Sequence, residues 1–372
     1  MQRYTVDLPS YTIGTAAYEA VDDVCAPYGR KAALIVGSNG YPRMHVKLAA
    51  ALLEAGSQLI LAEALTVQAD CTEEEVERLA AAPAVRDADM IFTIGGGRVI
   101  DTGKAVAQHA GKPVFTFPTI ASNCAATTAV SILYKEDGSF LRPFFLKHSP
   151  EHCFIDTEVV SQAPPEFLWA GMGDTYAKYY EASIASRGDS LNHPLSLGVH
   201  MSRQCAVNIL ANGAEAYAAH RRGEVTDALE QTVLTIIVTT GLVSLLVTLD
   251  HSPDYNSDLA HAIYYTLTGI PAFDHVKHLH GAAVGYGVLI LLLADSEYVP
   301  EQKAEWERVV EFNRSVKLPV CLADLGLTFS DVEPFLTAIT QMADVRHHPY
   351  EITEESLRRA FLEQERWAEA RE

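Results

Sequence analysis

Two histidines and one aspartate are the residues of this chain best suited to hold a metal. Asp174 lies in Gly171-Met-Gly-Asp-Thr-Tyr-Ala-Lys-Tyr-Tyr-Glu-Ala182. His261 lies in Leu259-Ala-His-Ala-Ile-Tyr-Tyr265, and His280 in His278-Leu-His-Gly-Ala-Ala-Val-Gly-Tyr-Gly287. Two imidazoles and one carboxylate suit Zn2+ or Fe2+ and leave a position open for water or substrate. Asp174 follows a Gly-x-Gly bend and is expected to open a helix, with its carboxylate projecting into a cleft. The plainer alternative is that Asp174 only caps that helix. Each histidine sits in an apolar helical setting, where a lone buried histidine is more often a core residue than a ligand. His251, His275 and His278 lie nearby, so spacing alone leaves the ligand set open.

A second chemical feature is Gly95-Gly96-Gly97, between an apolar run and a helical pattern. Three glycines let backbone N–H groups approach a phosphate, and the helix that follows directs its positive end at it. Asp101 and Lys104 fall on the first turns of that helix, within expected reach of whatever the loop holds. The loop is not G-x-G-x-x-G, so the usual dinucleotide fingerprint is absent; an ordinary turn is the competing reading. The adenosine end of a dinucleotide would lie near Gly37-Ser38-Asn39. An acidic residue there would bind a ribose 2′-hydroxyl and repel a 2′-phosphate. Ser38 is uncharged, and Lys31 and Arg43 are the nearest basic residues in sequence, which leans toward NADP(H) or toward use of both cofactors.

These residues need a framework of alternating strands and helices, and the first half of the chain supplies one. Ala32–Val36, Gln58–Leu61, Met90–Ile94 and Pro113–Phe117 read as buried strands. Helical patterns separate them, and Thr72-x-x-Glu75 is a capping box for one helix. Such alternation implies a parallel sheet covered on both faces, with nucleotides at the carboxyl ends of the strands. Ser131–Tyr134 and Phe140–Phe145, joined through Asp137-Gly138, read as a hairpin. After Gly173 no strand is expected, only helices. The chain therefore divides into an α/β nucleotide-binding domain over residues 1–163 and a helical metal-binding domain over residues 164–372.

Composition narrows the function. The 372 residues carry 28 Lys and Arg against 48 Asp and Glu, a net charge of −20, which argues against a nucleic-acid partner. Six scattered cysteines form no CxxC pair and read as reduced thiols of a cytoplasmic protein. The uncharged run Gln231–Leu249 contains five threonines and a serine, and reads as a buried helix of the helical domain, not as a membrane span.

Five motifs occur in order: Gly95-Gly-Gly-x-x-x-Asp-x-x-Lys104, Phe117-Pro-Thr-Ile-Ala-Ser122, Gly171-Met-Gly-Asp-Thr-x-Ala-Lys178, Ala260-His-Ala-Ile263 and His280-Gly-x-x-Val284. Together they resemble the iron-containing (group III) alcohol dehydrogenase superfamily, and within it the glycerol dehydrogenase branch. The resemblance implies a Rossmann-like domain followed by an all-α domain, with metal and nicotinamide in the cleft between. It implies Asp174, His261 and His280 as metal ligands and Gly95, Gly96 and Gly97 as the pyrophosphate loop. It puts Asp101 near the nicotinamide and Thr119, Ser122, Thr128, Ser131 and Tyr134 on the cofactor, beside Gly37 and Ser38. Iron-type members have a further histidine where this chain has Lys178, so the site resembles the three-ligand zinc type, with zinc ahead of iron.

Three departures from the family bear on the reaction. Glycerol dehydrogenases read Ala-Ser-Thr-Asp where this chain has Ala121-Ser-Asn-Cys124, so Cys124 replaces a carboxylate that touches the polyol. That change disfavours glycerol, admits an anionic substrate, and is similar to hydroxycarboxylate dehydrogenases of this branch, which reduce 2-oxo acids with NADPH. The second histidine of the family's His-Ala-Ile-His is Tyr264, and the glutamate of its His-Gly-Glu is Ala282. The implied chemistry is metal-assisted hydride transfer between NADP or NAD and a small alcohol or its carbonyl, a 2-hydroxy acid or a glycerol-like polyol. Lys178 and Tyr264 are the side-chain candidates for the proton step. Two alternatives remain: a dehydroquinate synthase-like cyclase and a non-catalytic scaffold. Self-association into a homo-oligomer is also implied.

Overall fold

The computed structural model describes residues 5–274 and 277–371, without the Arg43 side chain; His275 therefore lies outside the described residues. Two compact units are present. One runs up to Pro165 and includes Ala219–Leu245; the other comprises Glu166–Ala218 and the chain from Leu246 onward. The division expected at 163/164 thus lies beside Pro165, and Ala219–Leu245 groups with the first unit.

The first unit is built on six parallel strands in the order β1-β8-β5-β4-β2-β3. These are β1 (Ser10–Gly14), β2 (Lys31–Val36), β3 (Ile60–Thr66), β4 (Met90–Gly95), β5 (Val114–Pro118) and β8 (His152–Asp156). β6 (Val130–Tyr134) and β7 (Phe140–Phe145) form a separate antiparallel hairpin. Successive residues of a strand point to opposite faces. Ala32, Leu34 and Val36 pack with Met44, Leu48 and Leu52 of helix Tyr41–Glu54. Ala33 and Ile35 pack with Val76, Leu79, Ala105 and Val106 on the other face. Both faces are covered, which is why β2 and β4 are apolar apart from Lys31 at the start of β2 and the buried Thr93 of β4. Two strands escape a sequence reading. β1 is an edge strand of mixed polarity, and β8 starts with His152 and ends with Asp156, although all five of its residues are buried.

The uncharged run enters within helix Asp227–Leu234, widens into a π-helical turn at Thr235–Thr239, and continues as Thr240–Val247. Asp227–Val247 is long and apolar enough to cross a membrane by composition, but 67% of its apolar window is buried inside the protein.

The described residues of the second unit contain helices and no strands. Its central element is helix His280–Ser296, in which every residue from Gly281 to Asp295 is buried. A helix apolar on all sides belongs at the centre of its neighbours. Two of them approach it closely. A Cβ on Gly173 of helix Pro165–Ala185 would lie 2.1 Å from the Gly281 carbonyl oxygen, and a Cβ on Gly281 would lie 2.0 Å from the Ala170 carbonyl oxygen. On helix Leu259–Thr268, Ala260 faces Gly287, where a Cβ would meet the Ala260 carbonyl oxygen at 2.6 Å. The expected Gly-x-Gly bend does not form: Gly171, Gly173 and Asp174 all lie inside helix Pro165–Ala185. Gly173 serves close helix contact, and Asp174 is not a cap.

Candidate metal centre and nucleotide loop

The glycine contacts of the second unit bring three side chains together. Asp174 neighbours Gly173, His261 neighbours Ala260, and His280 neighbours Gly281. Asp174 Oδ1 lies 3.5 Å from His261 Nε2 and 3.4 Å from His280 Nε2, and one ligand atom from each of the three falls within 4.8 Å of the others. Ligand bonds of about 2.0–2.1 Å in a tetrahedron give edges of about 3.4 Å. These two edges therefore suit a divalent ion, whereas direct hydrogen bonds would be shorter, about 2.7–3.2 Å. Among the described residues this is the one such group of histidine, cysteine and acidic side chains. His278 packs against Phe273 instead, with ring centroids 5.7 Å apart, and His251 is exposed in a turn.

A fourth residue joins the trio from the same helix. Glu181 Oε2 lies 2.6 Å from His261 Nδ1, and its Oε1 accepts from the backbone N–H groups of Asp258 (2.8 Å) and His261 (3.0 Å). Burial works against a charged His261, but Glu181 and Asp174 outweigh it and push the imidazole up to about 10. Burial likewise opposes ionisation of Asp174, and the two imidazoles override it, holding the carboxyl well below its ordinary range. The sequence carried one usable signal for Glu181: positions 174, 178 and 181 share a helix face.

The two candidates for the proton step differ. Lys178 is buried, and its ammonium donates to the Asn256 backbone and side-chain oxygens. The Tyr264 ring lies edge-on to the His280 ring, with centroids 4.4 Å apart at 87°.

In the first unit, the loops that follow β2, β4 and β5 meet at the carboxyl ends of adjacent strands. The Gly37 N–H donates to the Ile94 carbonyl at 3.0 Å, and the Thr119 N–H to the Gly95 carbonyl at 3.1 Å. Ser38 is exposed, and its hydroxyl donates to Asn39 Oδ1 at 3.3 Å. Gly95 closes β4, Gly96 is extended, and Gly97 opens helix Gly97–Ala110. Packing demands glycine at 95, where an added Cβ would lie 2.8 Å from Val99 Cβ, whereas at 96 and 97 it would meet the movable ends of Ile120 (2.7 Å) and Asn123 (2.6 Å). Ser122 and Cys124 are half-buried in the loop after β5.

Lys104 does not reach toward that loop. It is fully buried, donating to the carbonyls of Ala125 (2.7 Å) and Val130 (2.6 Å) and the Thr128 carbonyl (3.2 Å), and pairing with Asp101 Oδ1 at 3.0 Å. Asp101 Oδ2 accepts from the Ile132 N–H, and the Ser131 hydroxyl donates to the Asp101 carbonyl. Burial pushes the Asp101 carboxyl up against the pull of Lys104. Asp101, Lys104, Thr128 and Ser131 thus form a buried polar knot that ties the hairpin to the helix. Tyr134 lies under the Arg98 guanidinium at 5.7 Å.

Comparison with known proteins agrees with this architecture. The family model described as iron-containing alcohol dehydrogenase matches residues 9–157. The glycerol dehydrogenase of Thermotoga maritima is 32% identical over 314 residues, covering 81% of this chain and 81% of that protein. The hydroxycarboxylate dehydrogenase A of Escherichia coli is 28% identical over 338 residues, covering 89% and 88%. The crystal structure of a probable glycerol dehydrogenase from Sinorhizobium meliloti 1021 superposes with a TM-score of 0.80 at 25% identity, covering 99% of each chain.

Proposed function

Because the chain belongs to the iron-containing alcohol dehydrogenase superfamily, in its glycerol dehydrogenase branch, we propose that it reduces small 2-oxo acids with NADPH and oxidises 2-hydroxy acids in reverse. At the coarser level it is a metal-dependent, NAD(P)-linked oxidoreductase of CH–OH groups. The observation that carries the chemistry is the trio of Asp174, His261 and His280, whose spacing suits a tetrahedral ion. A set of two nitrogens and one oxygen suits zinc or ferrous iron, and Lys178, standing where iron-type members have a further histidine, supports zinc. When bound, the ion supplies Lewis acidity at the substrate oxygen and the nicotinamide supplies or accepts the hydride.

The chain's own residues have the remaining roles. Gly95, Gly96 and Gly97 present backbone at the start of helix Gly97–Ala110 for the pyrophosphate. Ser38, Thr119 and Ser122 flank that loop, and the uncharged Ser38 leaves room for a 2′-phosphate. Cys124 leaves the substrate loop without the carboxylate that a polyol site uses, which favours an anionic substrate. The similarity to a hydroxycarboxylate dehydrogenase supports the same reading. Tyr264, beside His280, is the better placed of the two proton candidates, since Lys178 is engaged by Asn256. A cyclase reading would need basic residues for a phosphorylated substrate. Lys178 is engaged, and Arg187 is paired with Asp295 at 2.6 Å.

The test follows absorbance at 340 nm with zinc-loaded protein and either NADPH or NADH. Substrates are a panel of 2-oxo acids, dihydroxyacetone and simple aldehydes. Oxidation of NADPH by a 2-oxo acid, lost in Asp174→Ala, is the expected result. Turnover of dihydroxyacetone alone would overturn the substrate assignment and keep the trio; no turnover with any carbonyl would overturn both.

A further inference from the structure

Helix Pro165–Ala185 places Asp174, Lys178 and Glu181 on one face, and the last two hold the segment around His261. Lys178 holds Asn256, two residues before Asp258. Glu181 holds the backbone of Asp258 and His261 with one oxygen and the His261 ring with the other. We propose that Glu181 is a positioning residue for the metal centre, locking His261 into the tautomer and ring orientation that offer Nε2 to the ion. The proposal rests on the metal reading of the trio.

The argument is one of donors and acceptors. An ionised carboxylate only accepts hydrogen bonds. At 2.6 Å from Glu181 Oε2, His261 Nδ1 must therefore carry the proton. In the neutral ring the lone pair then sits on Nε2, the atom 3.5 Å from Asp174 Oδ1. Glu181 is fully buried, so water cannot replace its contacts. Its Oε1 also fills the role of a cap for helix Leu259–Thr268, where Asp258 itself makes no side-chain cap bond. Ring orientation and helix start are thus set by one side chain. Asp174 and Glu181 together bring two negative charges, which a divalent cation would balance. Carboxylates that orient a ligating histidine in this manner typically contribute about 10–100-fold in metal affinity.

Two measurements test this on the full chain. In the first, metal-stripped parent and Glu181→Gln proteins compete for zinc with a chromophoric chelator, and each metal-free protein is melted. Glutamine keeps the shape but replaces one acceptor oxygen by a donor NH2, so the three N–H groups can no longer all be served. The expected outcome is a zinc Kd raised about 10–100-fold, with turnover restored by excess zinc. A Kd within twofold of the parent overturns the proposal. The second measurement needs no variant. Nitrogen NMR of the zinc-loaded parent, labelled at histidine, should show His261 protonated at Nδ1 and metal-bound at Nε2; binding through Nδ1 overturns the proposal even if Glu181→Gln fails to fold. If Asp174→Ala leaves zinc stoichiometry unchanged, the metal reading of the trio itself has failed.

Discussion

Gly281→Ala offers a severe test of how the metal trio is assembled. The new methyl would lie 2.0 Å from the Ala170 carbonyl oxygen and 3.0 Å from Asp174 Cβ. Ordinary contact begins near 3.4 Å, so the helices at this crossing must part by about 1.4 Å. The obstacle is backbone, which cannot rotate away as a side-chain end does. Overpacking of this kind costs about 1–3 kcal/mol, and the rigid contact puts Gly281→Ala at the upper end. At about 2–4 °C per kcal/mol for a unit of this size, melting should fall by about 6–12 °C. Metal binding should suffer more than stability does. Ligand distances tolerate about 0.2 Å, and Asp174 and His280 stand on the two helices being separated. A chelator-competition titration should therefore show zinc affinity lost by two orders of magnitude or more. The control is Leu357→Ala, a fully buried core truncation in helix Glu354–Glu369, which should lower stability by about 2–5 kcal/mol and leave zinc affinity near the parent value. If Gly281→Ala binds zinc as tightly as the parent, backbone contact does not set the geometry of the trio, and the reasoning fails.

Two further outcomes follow from buried charges. Lys104→Met removes the cation from a knot that includes Asp101, leaving a buried carboxylate without its counter-charge. Stability should fall by about 3–5 kcal/mol, measured by denaturant unfolding, and reduced cofactor affinity without that loss would return Lys104 to the nucleotide site. Asp258 is fully buried, and burial pushes its carboxyl up to about 6 against the pull of His348. The folded state then holds that proton more tightly than the unfolded state, so the stabilisation is full below about pH 4 and is lost as pH rises through 6. Asp258→Asn removes this dependence. The parent-minus-variant difference in unfolding free energy should fall by about 2–3 kcal/mol between pH 4 and pH 7, and a flat difference would refute it.

Different parts of the molecule were legible for different physical reasons. β2 and β4 announce themselves because a strand buried on both faces admits little but apolar residues. β1 and β8 do not, because an edge strand mixes polarity and His152 is satisfied by the Ser10 and Thr12 hydroxyls, a partnership 140 and more residues apart in sequence. The candidate ligands at 174, 261 and 280 could be picked out by residue type, but not how the fold brings them together. A glycine in a turn and a glycine under a crossing helix look alike until the second helix is present, which is why Gly171-x-Gly173 reads as a bend and folds as helix. Glu181 and Lys104 pose the same difficulty. A charged residue on a helix suggests solvent, and only partners 80 residues away for Glu181, or 21 to 26 residues away for Lys104, reveal burial.

The glycine crossings also bear on how this enzyme can change. The trio of Asp174, His261 and His280 is framed by main chain pressed against main chain, at Gly173, Gly281 and Gly287. The Tyr264 side chain, edge-on to His280, is not part of that frame. Substitution of Tyr264 would change what lies beside His280 without moving those crossings. The contacts that gather the trio are thus independent of the side chain beside it, so a change at Tyr264 reaches the chemistry before it reaches the fold.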